Sequence, residues 1–104
     1  MLIVTTDSIV GKEITEVKGF VKGSTIRSKH LGKDISAAFK SMAGGELGGY
    51  NEMLIEARQI AIERMVEDAK AQGANAIVGL RIASSTVVQG AAEMLAYGTG
   101  VVIS

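Results

Sequence analysis

Between Asn51 and Gln72 apolar residues recur at the spacing of an α-helix. Asn51 supplies a side-chain acceptor for the free N–H groups of a first turn, and Gly73 is a stop. At 1.5 Å per residue such a helix is about 33 Å long. Steps of 100° place Glu52, Glu56, Gln59, Glu63, Glu67 and Lys70 on one narrow polar strip. The rest of the circumference, from Ile60 and Met53 through Leu54, Ala61 and Met65 to Val66, is mostly apolar. An arc of that width exceeds what one small sheet covers, so a second subunit is the economical cover. Arg64 and Asp68 interrupt the arc at i, i+4, and they are expected to pair with each other or across an interface.

A shorter amphipathic helix is predicted over Leu31–Ala43, where Ile35, Ala38, Phe39 and Met42 form a stripe that Gly44-Gly45 ends. Strands are predicted on either side. Met1–Thr6 is a short apolar run closed by Asp7-Ser8. Glu13–Ile26 alternates, with Thr15, Val17, Gly19, Val21 and Gly23 on one face and Glu16, Lys18, Phe20 and Lys22 on the other. Its glycines point to bulges or a close backbone approach. Ala76–Ser84 places Ala76, Val78, Leu80 and Ile82 on one face, and Ser84–Gly90 is a small-residue turn region.

Ala91–Ile103 completes the set, with small or flexible residues at Ala92, Met94, Ala96, Gly98 and Gly100 and large ones at Leu95, Tyr97, Val101 and Ile103. Close approach of the long helix explains Gly98 and Gly100, and the large residues behind them call for a second buried surface. The fold class is therefore α+β: an antiparallel sheet packed by one long helix plus a shorter one, in the order β–β–α–α–β–β, as a single domain over residues 1–104.

Composition sharpens this picture. With the 13 glycines counted in and the two tyrosines left out, 60 of 104 residues are apolar, above the usual ~45–50%. That surplus excludes disorder and favours assembly. The absence of cysteine excludes disulfides, thiol catalysis and thiolate metal sites. There is no apolar run long enough to span a membrane, and the apolar start is too short for a secretory signal, so a cytoplasmic protein is expected. The net charge is zero but unevenly placed, at +3 over residues 1–40 and −3 over 41–104. With one aromatic before Phe39 in the basic half and no net positive charge, no nucleic-acid partner is expected. Opposite halves of neighbouring subunits facing each other account for the split.

Candidate chemistry is sparse. His30 follows Lys29 at a predicted helix start with no nucleophile or orienting group in reach by spacing; a cap or surface role fits it best. The i, i+4 pairs Glu52/Glu56 and Glu63/Glu67 have the spacing to chelate a hard cation, and equally that of a solvated helix face. Met42, Met53 and Met65 fall on apolar arcs and read as core. The segment from Gly44 to Gly49 lacks the lysine and Ser/Thr of a phosphate loop and reads first as a tight turn. If the chain holds a small molecule or an anion, the best place is where Gly45, Gly48, Gly49 and Tyr50 precede the long helix, completed in a ring by Arg81 or by a neighbouring subunit's basic N-terminal half. No nucleophile–base pair or cofactor motif appears, so an enzyme is not expected and no cofactor is identified.

The stretches VTTDSIVGKEITEVKGFVKGSTIRSKHLGKDI, GGELGGYNEML, GANAIVGLR and AAEMLAYGTGVVI, in that order, resemble the YbjQ-like family over essentially the whole chain. The resemblance implies a dodecin-like α+β subunit assembled into a homo-oligomeric ring, usually a pentamer, and a heavy-metal-binding label; it brings no established activity or catalytic residues. The residue inventory does not favour the label, because soft ions want thiolates or several imidazoles. The expectation is thus a ring-forming homo-oligomer that presents a small-molecule or anion site at subunit contacts. The alternative is a metal binder that uses hard-cation carboxylates, with His30, Glu52 and Glu56 as ligands.

Overall fold

The computed structural model describes residues 1–28, 48–88 and 91–104. The elements are β1 (Leu2–Ile3), β2 (Ile14–Ser28), α1 (Gly48–Ala71), β3 (Ala76–Val88) and β4 (Ala91–Ile103). They form a four-stranded sheet in the order β1-β3-β4-β2 with α1 on one face. The sheet is mixed, which corrects the antiparallel expectation: β3–β4 and β2–β4 are antiparallel, but β1 pairs with β3 in parallel. The chain from β1 to β3 passes through β2 and α1, and that long excursion permits a parallel return. The described order is β–β–α–β–β; the shorter helix expected over 31–43 lies outside the described residues.

The long helix begins at Gly48, so Asn51 sits inside the first turns rather than at the cap. Its end is as expected. Gly73 adopts φ +86°, its N–H bonds to the Lys70 carbonyl at 3.0 Å, and the Ala74 N–H bonds to the Ala69 carbonyl at 2.9 Å. This pair of reversed bonds uses two of the carbonyls that a helix terminus leaves open, and glycine adopts the left-handed turn without a Cβ clash.

The buried stripe of α1 is Met53, Ala57, Ala61, Met65 and Ala69, one residue every fourth position. It packs on Val21, Ile77, Met94 and Ala96, with Leu54, Ile62 and Val66 half-buried beside it. Alanines bring the helix axis close to the sheet, and Gly23 lets it closer still. A Cβ on Gly23 would run into the backbone N of Met65 and the carbonyl O of Ala61, with the Arg64 carbonyl carbon at 2.7 Å. The helix backbone thus rests on β2, not on the glycines of β4. A Cβ at Gly98 would meet Ile77 Cγ2 and the Val78 carbonyl at 3.0 Å, and one at Gly100 would meet Val21 Cγ1 at 3.0 Å and Ala74 Cβ at 3.2 Å. Both β4 glycines are tightly packed, as expected, but against neighbouring strands and the turn after α1.

Two glycine bulges reset the sheet's alternation. Register slips occur in β2 between Ile14 and Glu16 and between Val17 and Gly19, and Gly19 has φ +112°. Val17, expected on the same face as the buried Val21, is 65% exposed as a result. In β3 slips lie between Thr86 and Val88 and between Val78 and Arg81, and at the latter Gly79 has φ +65°. The bulge separates Ala76 and Val78 from Leu80 and Ile82, which the plain alternation had joined. Ala76, Val78 and Val101 form a second small core on the reverse face, covered by Val4, Ile9, Ile14 and Ile103. That is the second buried surface the large residues of the last strand require. The N-terminal segment reaches it through the bulge: Gly79 N–H donates to the Thr6 carbonyl (2.9 Å) and Leu80 N–H to the Val4 carbonyl (3.1 Å).

Ser84–Val88, expected as turn, continues β3. Small and β-branched residues suit a pleated strand as well as a loop, and pairing with β4 down to Val88 and Ala91 decides between the two.

Candidate functional site

Helix side chains occupy the outer edge of β2. Arg64 Nη1 donates to the Ser24 carbonyl at 2.7 Å, and Asp68 Oδ2 accepts from the Lys22 backbone N–H at 2.9 Å. Gln72 Nε2 donates to the Phe20 carbonyl and to Asp68 Oδ1, both at 3.2 Å. Arg64 and Asp68 therefore do not pair with each other, as the i, i+4 spacing suggested; each serves an open backbone group of an edge strand. A sheet edge is a row of unpaired donors and acceptors, and two side chains of α1 and one just past its end cap the middle of this one, from Phe20 to Ser24.

Other parts of the sheet remain open. β1 covers β3 only at Ala76 and Ile77, and the N-terminal segment covers Gly79 and Leu80. From Arg81 to Ser85 no described residue pairs with the outer edge of β3, and Ile82 is 40% exposed there. Val17, Phe20 and Ile26 on β2 and Ile55 on α1 are at least half exposed.

The residues expected to form a ligand site do not come together. Gly48, Gly49 and Tyr50 form the first turn of α1, whereas Arg81 pairs in register with Tyr97, whose strand neighbours Ala96 and Gly98 are buried on the helix side. Arg81 thus belongs to the reverse face, across the sheet from the helix. Gly45 and His30 lie outside the described residues. Glu52 and Glu56 are exposed on α1, and Glu56 is engaged in an interaction. No group of three or more His, Cys, Asp or Glu able to hold a metal occurs among the described residues. Met53, Met65 and Met94 are buried, two of them in the core against α1 and the sheet, so their thioethers are packing groups. The donor set described does not fit a soft metal ion.

What surrounds Arg81 was not legible in the chain. Lys22, Tyr97 and Arg81 are cross-strand partners in one row over β2, β4 and β3. The Phe20 ring lies on Tyr97 with centroids 6.3 Å apart and planes at 45°. Arg81 Nη1 donates to the Thr5 carbonyl at 3.1 Å and to its neighbour Leu80's at 2.8 Å. The single ion pair among the described residues is Lys18–Glu16, at 2.8 Å.

The family model YbjQ_1, described as "Putative heavy-metal-binding", matches residues 1–104. The chain belongs to the YbjQ family. It is 68% identical over 103 residues to a UPF0145 protein of Clostridioides difficile, covering 99% of this chain and 92% of the relative. It is 61% identical over 102 residues to a UPF0145 protein of Clostridium perfringens, covering 98% and 96%. Among solved structures it is similar to a protein of unknown function of the DUF74 family from Pediococcus pentosaceus, with TM-score 0.62 and 21% identity, covering 100% of this chain and 98% of that one. At that identity the likeness shows the fold. The relatives are uncharacterised, and the family's metal label finds no matching donor set among the described residues. No helix of the described residues is long and apolar enough to cross a membrane.

Proposed function

We propose that this YbjQ family chain is the subunit of a closed homo-oligomeric ring, a pentamer, that works in the cytoplasm and presents a small-molecule or anion site where subunits meet. The observation that carries this reading is the contrast between the two sheet edges. Arg64, Asp68 and Gln72 cap the β2 edge from Phe20 to Ser24, while the outer edge of β3 from Arg81 to Ser85 carries no described partner. One closed and one open edge on the same sheet suit a heterologous contact, in which each copy meets a different surface of the next and rotation closes the ring. The exposed Val17, Ile26, Ile55 and Ile82 give such a contact apolar area. The +3 and −3 halves of the sequence provide complementary charge.

The family label favours metal binding as a second reading, with exposed carboxylates such as Glu52 and Glu56 as hard-cation ligands. Sedimentation velocity at micromolar concentration tests the ring. A single species of several subunits that breaks down in Ile82→Lys, where a charge is set on the open edge, supports it. A wild-type monomer refutes it. Elemental analysis of the same untagged sample tests the second reading: stoichiometric metal supports it.

A further inference from the structure

We infer that Lys22, Tyr97 and Arg81, with Phe20, form a binding site on the reverse face of the sheet for a small aromatic molecule that bears an oxyanion group, a carboxylate or a phosphate. The site is built within one chain and stands whether or not subunits close into a ring.

Three observations carry it. First, the row is in register across three strands, with Tyr97 between two cations. At one strand spacing per step, Lys22 and Arg81 have their Cα atoms roughly 10 Å apart, the span of an aromatic ring with an acidic substituent. Second, the aromatic surface is open. Phe20 is 60% exposed, Tyr97 is only partly covered, and their tilted contact presents a stepped ring surface rather than a closed stack. Third, Arg81 is held and unsatisfied at once. Its Nη1 is fixed by the Thr5 and Leu80 carbonyls, while Nη2 and Nε have no acceptor among the described residues. A guanidinium anchored on one nitrogen keeps the rest of its donor fork for a planar oxyanion.

The charge environment favours an anion. No described carboxylate lies within ion-pair distance of Lys22 or Arg81. Asp7 sits beside the Gly79 bulge, outside that distance from Arg81. Glu93 stands opposite Ser85 and Ile26, four residues along β4 from Tyr97 and so about 13 Å away, and Ser85 Oγ donates to it at 3.4 Å. An aromatic acid would stack on Tyr97 and Phe20 and place its oxyanion in the field of both Arg81 and Lys22. A neutral aromatic would gain only the stacking, and inorganic phosphate only the charge.

Titration by solution NMR, following the backbone amides of Lys22, Tyr97 and Arg81, tests this on the full chain. The probes are 1-naphthoate and adenosine monophosphate, each against its uncharged counterpart, 1-naphthamide or adenosine, and against inorganic phosphate. At least one of the two acids is expected to bind about tenfold more tightly than both its counterpart and phosphate, and to lose about tenfold in affinity in Arg81→Gln and in Lys22→Gln. The exposed Lys22 side chain makes no hydrogen bond or ion pair among the described residues, so its substitution leaves the fold intact and keeps the test open if Arg81→Gln fails to fold. Two acids that bind no better than their counterparts, or equally well in Lys22→Gln, overturn the proposal. So does a change of oligomer size in Lys22→Gln with no change in affinity, because the row would then be a subunit contact.

Discussion

Replacing Gly23 with alanine adds one methyl group at the closest approach of helix and sheet. Its Cβ would collide with the Met65 nitrogen and the Ala61 carbonyl oxygen and stand 2.7 Å from the Arg64 carbonyl carbon. All three are helix backbone, so no side chain can swing aside; the helix must move away from β2. Its stripe of Met53, Ala57, Ala61, Met65 and Ala69 then loses contact with the sheet along its length, and dispersion falls steeply with a gap of even half an ångström to one ångström. Overpacking costs about 1–3 kcal/mol, and a collision with backbone belongs at the upper end. Against this, alanine in a strand recovers only about 0.5–1 kcal/mol over glycine. A net loss near 2 kcal/mol corresponds to a fall in the melting midpoint of roughly 8–16 °C for a domain of this size. Thermal melts at one fixed protein concentration measure it, because assembly makes the midpoint concentration-dependent. Gly19→Ala is the control. It meets open space, and its cost is that of φ +112°, about 1–2 kcal/mol. A Gly23→Ala midpoint within about 3 °C of wild type would refute the packing account of α1.

Further outcomes follow from the edges and from the residue inventory. Asp68→Ala removes the acceptor of the Lys22 N–H and costs about 1–2 kcal/mol in chemical denaturation, with more aggregation because the β2 edge is opened. Gly98→Val and Gly100→Val each lower the thermal midpoint, by the ~1–3 kcal/mol of overpacking, through Ile77 and Val78 in the first case and Val21 and Ala74 in the second; unchanged midpoints would reduce both glycines to simple kinks. Calorimetry with zinc or cadmium shows no sub-micromolar binding, as a chain without cysteine and with one histidine requires; tight binding lost in His30→Ala would reverse that.

The long helix was legible because its period is local: five buried positions at i, i+4 and a glycine stop can be read within one segment. The inner face of β4 was legible for the same reason. The faces of β2 and β3 were not. Single inserted residues at the bulges near Gly19 and Gly79 flip the alternation, so Val17 turns outward and Ala76 parts from Ile82. Glycine marks where a bulge is allowed, but pairing with β4 decides where the slip falls. Arg64 and Asp68 do not pair with each other: helix spacing names only partners on the same helix, whereas each reaches a backbone group of β2, 40 and 46 residues away. The same limit hid the surroundings of Arg81. Lys22 and Tyr97 become its neighbours through the register of three strands, while Gly48, Gly49 and Tyr50, grouped with it by reading along the chain, begin the helix on the other side of the sheet. His30 and Gly45 fall outside the described residues.

Native mass spectrometry of the untagged protein tests the central claim most directly, because one spectrum reports subunit number and bound mass together. The ring reading predicts one dominant closed assembly, five subunits by expectation, whose mass distribution shifts to fewer copies when Ile82→Lys places a charge on the open edge of β3. A wild-type spectrum of monomers alone at micromolar concentration would contradict it.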